Sequence, residues 1–182
     1  MAVIVVTGIP GVGKTTVMKK AAEGMDVEFV TFGTLMADMA IEMKLVKDRD
    51  EMRKLTLDKQ KKLQIKSAEK VARMGNVILD THCTIKTPKG YMPGLPEWVI
   101  KRINPTAIVV VEADPEEIYN RRENDPSRNR DPDTIEQISE HQMINRAAAM
   151  AYAALSGATV KIVFNHDNAI DSAVKQAAPV LK

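Results

Sequence analysis

The chain has 182 residues, enough for one domain of ordinary size with a real core, and its 26 basic and 24 acidic residues leave a net charge of +2 that argues against a nucleic-acid surface. A single cysteine, Cys83, excludes an internal disulfide and fits a reducing compartment, and three widely spaced histidines form no structural zinc pattern. No apolar stretch is long enough to span a membrane and the chain enters a strand at once, so a soluble intracellular protein without a signal peptide or membrane partner is expected.

The first element is a short β-branched strand over 2–7, centred on Ala2-Val3-Ile4-Val5-Val6. It runs into Gly8-Ile9-Pro10-Gly11-Val12-Gly13-Lys14-Thr15, the complete G-x-x-x-x-G-K-[ST] phosphate loop, followed by Thr16 and a helix over 14–23. Strand, glycine loop and helix thus stand in the order a nucleoside triphosphate site needs. The glycines let backbone N–H groups point at phosphate oxygens, and the helix start adds its positive dipole end. Lys14 is expected to reach the β- and γ-phosphates, Thr15 to offer its hydroxyl to Mg²⁺, and Thr16 to add a further phosphate contact.

A second strand is expected over 27–32, then a mostly helical excursion over 33–74 with helices at 34–45 and 51–74. A third strand, 76–80, ends in Asp80, the place where phosphate-loop proteins hold magnesium, usually through water. A helix at 96–103 precedes Asn104-Pro105, which breaks the chain before the strand 106–112. Asp114-Pro115 reads as a helix cap and first turn for 115–123. A long helix over 134–156 stops at Gly157, a last strand covers 159–164 and a last helix 168–181. Alternating strands and helices predict a single doubly wound α/β domain over 1–182, a parallel five-stranded sheet with helices on both faces and the nucleotide at the strands' carboxyl ends.

Between the helices ending at 123 and starting at 134 lies a polar loop, 124–133, and residues 121–130 hold four arginines: Arg121, Arg122, Arg128 and Arg130. Phosphoryl transfer needs positioned cations and exclusion of water, so this segment is expected to act as a lid. Arg128 and Arg130 are its expected phosphate contacts; of Arg121 and Arg122, only one is expected to face the site. A solvated loop with Asp125 and Asp131 pairing the arginines is the plain alternative. The methionines read as core filler, Trp98 as buried in its short helix, and His141 and His166 as non-catalytic.

This plan resembles the nucleoside monophosphate kinases, and more closely the archaeal-type adenylate kinases. The resemblance rests on Gly8 to Thr16, Phe32-Gly33-Thr34, Arg49 to Leu55, Asp80-Thr81-His82 and Thr87 to Pro96, and it runs end to end. It implies ATP + AMP ⇌ 2 ADP with Mg²⁺, in the cytoplasm, by a homotrimer. It also implies that 33–74 holds the monophosphate. Bacterial and eukaryotic relatives carry a threonine and an arginine where this chain has Phe32 and Ala37, and a G-F-P-R segment where it has Asp80-Thr81-His82-Cys83. The usual acceptor-phosphate arginines therefore do not carry over. Arg53 becomes the first local choice, with Arg49 behind it and Lys86 as a further option; Gly33, Thr34 and His82 complete the acceptor side. Arg146 is weighed as a late lid arginine or a surface residue. Two rival readings stand beside this one: a kinase of the same fold acting on CMP, shikimate or a ribosome-associated substrate, and a nucleotide-binding switch or assembly ATPase. The absence of an N-K-x-D motif argues against a guanine switch.

Overall fold

The structure is a computed structural model that describes residues 2–125 and 133–181, the side chains of Asp50 and Arg53 excepted. Five parallel strands form the centre: β1 (Val3–Thr7), β2 (Glu28–Thr31), β3 (Val77–Asp80), β6 (Ala107–Glu112) and β7 (Thr159–Phe164), in the order β2-β3-β1-β6-β7. Every residue of β1, β3 and β6 is buried, which explains their unbroken apolar runs: a strand covered on both faces has no solvent side to mark with polar residues.

Alternation along the strands sorts their side chains into two cores. Val3, Val5, Val77, Leu79, Ile108 and Val110 pack under three helices: α3 (Leu57–Ala72), α4 (Glu97–Ile103) and α6 (Ile135–Ser156). Ile4, Val6, Ile78, Val109 and Val111 face α1 (Lys14–Ala21), α5 (Pro115–Glu123) and α7 (Ile170–Ala177). Ends of elements follow their sequence signals. Asp114 accepts from Glu116 N–H at 3.0 Å with Pro115 in the first turn, Thr134 and Gln137 cap α6 reciprocally, and Gly157 ends α6 in the left-handed region.

Three expectations are corrected. The helix expected over 34–45 is α2 (Phe32–Glu42), which starts directly after β2. The helix expected over 51–74 divides into a 3-10 turn, Arg49–Lys54, and α3. Asp48 caps that turn by accepting from Glu51 N–H at 3.1 Å, and Leu55 and Thr56 then run extended. The break folds Met52 and Leu55 onto a small separate core of Ala40, Val46 and Leu63 with Met36, Met39 and Met43. Residues expected as loop after β3 instead form a hairpin of β4 (Thr84–Thr87) and β5 (Gly90–Pro93), its turn tied by Thr87 Oγ1 donating to Gly90 O at 2.7 Å. The methionines are not all core filler either, since Met25, Met92, Met143 and Met150 are exposed. Trp98 is half-buried, with the Lys61 ammonium 4.5 Å from its ring centroid.

Candidate active site

The phosphate loop turns out of β1 at its carboxyl end and delivers the chain to α1. Gly11 and Gly13 adopt φ of 90° and 81°, a region that costs any other L-residue roughly 1–2 kcal/mol. Gly13 is the N-cap of α1 and supplies no side-chain cap, and the first turn carries no acidic residue. The positive end of α1 and its first N–H groups are thereby left for an anion.

A loop that aims its N–H groups inward turns carbonyls outward, and three side chains take them. Arg122 Nε donates to Pro10 O at 2.8 Å, Asn165 Nδ2 donates to Val12 O at 2.9 Å, and Arg121 Nη1 reaches the same oxygen at 3.5 Å. Arg121 also donates to Asn165 O at 2.8 Å and to Asp167 at 2.7 Å, while Asn165 N–H donates to Glu112 O at 2.7 Å. Both arginines of the pair, of which only one is expected to face the site, thus contact outward carbonyls of the loop. Both lie against the loop, because long stems let adjacent helix positions converge on one target.

Parallel register brings the acidic strand end to this loop. Val6 of β1 pairs with Asp80 of β3, and Asp80 pairs on its other side with Thr31 at the end of β2. Thr15 Oγ1 donates to Asp80 Oδ2 at 2.8 Å, and Lys14 Nζ lies 3.4 Å from Asp80 Oδ1. Lys14, Thr15 and Asp80 are therefore brought together, with Asp80 buried. Thr16 is exposed on the outer side of α1. Hard oxygen donors at Thr15 and Asp80 suit Mg²⁺, which binds through one or two protein oxygens and phosphates rather than an all-protein cage. No group of three or more His, Cys, Asp or Glu among the described residues is placed to hold a metal ion.

Gly33 and Thr34 open the first turn of α2, one strand away from Asp80. A Cβ built on Gly33 would lie 3.6 Å from Arg49 Nη2, so the Arg49 guanidinium rests over this turn. Arg53 sits in the same 3-10 turn, and its side chain lies outside the described residues, as do Arg128 and Arg130. His82 follows β3 and is exposed. Crowding by the protein, then the Lys14 ammonium, hold its imidazole below the usual histidine range against the opposing pull of Asp80 and of a Gly8 backbone contact.

The other titratable candidates have structural partners. Lys86 is tied to Asp133 at 2.5 Å. Arg146 makes a bidentate pair with the buried Glu112. His141 is buried beside Thr84 Oγ1 at 3.0 Å, and His166 pairs with Glu117 at 3.0 Å. Burial pushes the Cys83 thiol up to about 12, as expected of a packing residue. Sequence reasoning reads Asn165-His166-Asp167 as a loop placed to touch the donor adenine mainly through its backbone; it missed the side-chain grip of Asn165 on Val12 and the pairing of Asp133. A position just past the last strand, on the carboxyl edge of the sheet, was the available signal for Asn165; nothing in the sequence pairs Asp133 with Lys86.

A doubly wound parallel sheet with this cradle at the end of its central strand defines a phosphate-loop kinase. The family model described as AAA domain matches residues 7–139. The chain is 51% identical to the adenylate kinase of Thermoplasma acidophilum, covering 97% of both chains, and 49% identical to that of Methanothermobacter thermautotrophicus, covering 100% of both. It therefore belongs to the adenylate kinase family. Solved structures of a shikimate kinase from Bacteroides thetaiotaomicron and a gluconokinase from Sinorhizobium meliloti share the fold. Their TM-scores are 0.57 and 0.56 at 14% and 16% identity, over 99% of this chain and 98% and 91% of theirs.

Proposed function

We propose that the chain transfers the γ-phosphoryl group of ATP to AMP, reversibly, giving two ADP. The observation that carries this is the convergence of Lys14 and Thr15 on Asp80 with the start of α2, marked by Gly33 and Arg49, one strand away. That spacing supports reading a donor cradle and a cationic acceptor turn on the same sheet edge. Gly8 to Thr16 bind the donor phosphates, and Lys14 neutralises charge on the transferring group. Thr15 and Asp80 would hold Mg²⁺, which when bound screens the β- and γ-phosphate charge.

On the acceptor side, Gly33, Thr34 and His82 line the pocket, and Arg49 and Arg53 neutralise the AMP phosphate. The position of the Arg49 guanidinium over Gly33 supports this role for Arg49. No general base is required, because a monophosphate oxygen is already anionic at neutral pH and the depressed His82 is neutral there. Arg128 and Arg130, in the segment 124–133, act as the lid cations, and 33–74 acts as the monophosphate-binding insert of a single kinase domain. The family resemblance supports a cytoplasmic homotrimer. Exposed Met143 and Met150 on α6 are in keeping with a subunit contact there, and no helix among the described residues is long and apolar enough to cross a membrane.

A coupled assay of ADP formation from ATP with AMP, CMP, UMP, GMP and shikimate tests the reading. ADP formation that rises with AMP and with none of the others supports it. Equal or better use of CMP or shikimate, or ATP loss independent of any acceptor, overturns it.

A further inference from the structure

We infer that Asp133 is a positioning residue for this reaction: it gathers Lys86 of the β4–β5 hairpin and Arg122 of α5 onto one carboxylate, and so fixes Arg122 against the phosphate loop. The inference rests on the kinase reading for its effect on turnover, and on the loop geometry for its effect on ATP binding. Asp133 lies immediately before the N-cap of α6. Its Oδ1 takes Lys86 Nζ at 2.5 Å and its Oδ2 takes Arg122 Nη1 at 2.8 Å. Arg122 in turn spends its Nε on Pro10 O at 2.8 Å. One chain of hydrogen bonds therefore runs from the hairpin, through a single carboxylate, to the backbone of the anion cradle.

Both ends of this chain are tied by further contacts. The hairpin is pinned to α6 by Thr84 Oγ1 donating to Asn145 at 2.5 Å, by His141 at 3.0 Å from Thr84, and by Tyr91 Oη donating to Glu140 at 2.9 Å. At the other end the Arg122 stem lies flat on the loop, its Cγ and Nε 3.0 and 3.3 Å from where a Cβ on Gly11 would sit. The Arg122 side chain is 10% exposed and Asp133 17%, so water does little to weaken the pair. With the carboxylate gone, the tie between Lys86 and Arg122 is lost, and with it one contact that holds the guanidinium bracing Pro10. A displacement of about 1 Å in a positioning contact can cost on the order of a hundredfold in rate.

The full chain carrying Asp133→Asn, Asp133→Glu, Lys86→Met, or Lys86→Met with Asp133→Asn tests this by ATP calorimetry, steady-state kinetics and melting. Asp133→Asn is expected to weaken ATP binding and lower kcat/KM for ATP about tenfold, with the AMP KM within twofold. Asp133→Glu should keep at least a third of wild-type kcat/KM for ATP. Lys86→Met should lower kcat/KM severalfold alone and add nothing to Asp133→Asn. A lowered melting temperature with unchanged ATP affinity in Asp133→Asn would assign the residue to docking alone and overturn the inference, as would additive effects in the double variant. ATP binding is read without turnover, so the absence of AMP-dependent ADP in the wild type would sink the kinase reading and leave this comparison decisive on its own.

Discussion

Asn165→Ala tests whether the outward face of the phosphate loop is held by side chains rather than by the loop itself. Asn165 is buried and its amide donates to Val12 O at 2.9 Å; a second donor to that oxygen, Arg121 Nη1, stands at 3.5 Å, the edge of useful geometry. Truncation leaves a buried carbonyl poorly satisfied, a loss of about 1–2 kcal/mol. At about 1.4 kcal/mol per tenfold, ATP affinity should fall roughly five- to thirtyfold if that loss appears as loop disorder relieved only when phosphate binds. The AMP KM should stay within twofold, because Gly33 and Arg49 lie on the other side of Asp80. Gly13→Ala sharpens the test. A Cβ there would sit 2.6 Å from Asn165 Nδ2, at a φ of 81°. It should cost about 1–2 kcal/mol for the left-handed backbone plus about 1 kcal/mol for displacing the amide. In the Asn165→Ala background only the backbone cost remains, so the double variant should be less impaired than the sum of the singles. The readouts are ATP calorimetry and kcat/KM for each substrate. Asn165→Ala within twofold of wild type for ATP, or strictly additive singles, would refute the reasoning.

Further outcomes follow from the same geometry. Lys14→Met should lower kcat by two or more orders of magnitude, an effect of about 3 kcal/mol or more on the transition state, with the melting temperature little changed; near-normal turnover would contradict the role of Lys14. Arg49→Ala should raise the AMP KM about tenfold or more and spare that for ATP, the size of one charge-assisted contact at about 1.5–3 kcal/mol; a larger effect on ATP would place Arg49 elsewhere. Gly94→Ala should destabilise the fold by at least about 3 kcal/mol in denaturant melts, since the new Cβ would lie 1.9 Å from His82 O, a backbone atom with no rotamer to escape through; wild-type stability would mean the chain departs from this path. For Asp133, burial opposes ionisation, but the Lys86 and Arg122 contacts more than offset it and hold its carboxyl below the ordinary value of 3.8. Its contribution to stability is therefore full above that value and is lost as pH falls through its lower folded value. Asp133→Asn should flatten the melting profile below about pH 4 and leave its neutral branch parallel to wild type; a difference growing between pH 6 and 8 would contradict the assignment.

The central strands were legible because burial on both faces leaves only apolar, β-branched residues, and Val3 to Val6, Val77 to Leu79 and Ala107 to Val111 say so directly. The donor half of the site was legible for a related reason: glycine, lysine and threonine spacing is dictated by the phosphate group itself. What stayed hidden depends on contacts distant in sequence. The pattern of 51–74 is helical throughout, and the break at Leu55-Thr56 arises from the Asp48 cap and the methionine-rich core. The hairpin was hidden because Thr84 to Thr87 is short and its partner strand contains Pro93. The grip of Arg121 and Arg122 on the loop was hidden because helix geometry points adjacent residues about 100° apart, and only the length of the stems brings them together.

The account's central claim, direct transfer between two nucleotides bound at one sheet edge, is tested by following a labelled γ-phosphoryl group from ATP in the presence of magnesium and excess AMP. The label should appear in ADP derived from AMP, with two ADP formed per ATP consumed. Label recovered as inorganic phosphate, at a rate indifferent to AMP, would contradict it.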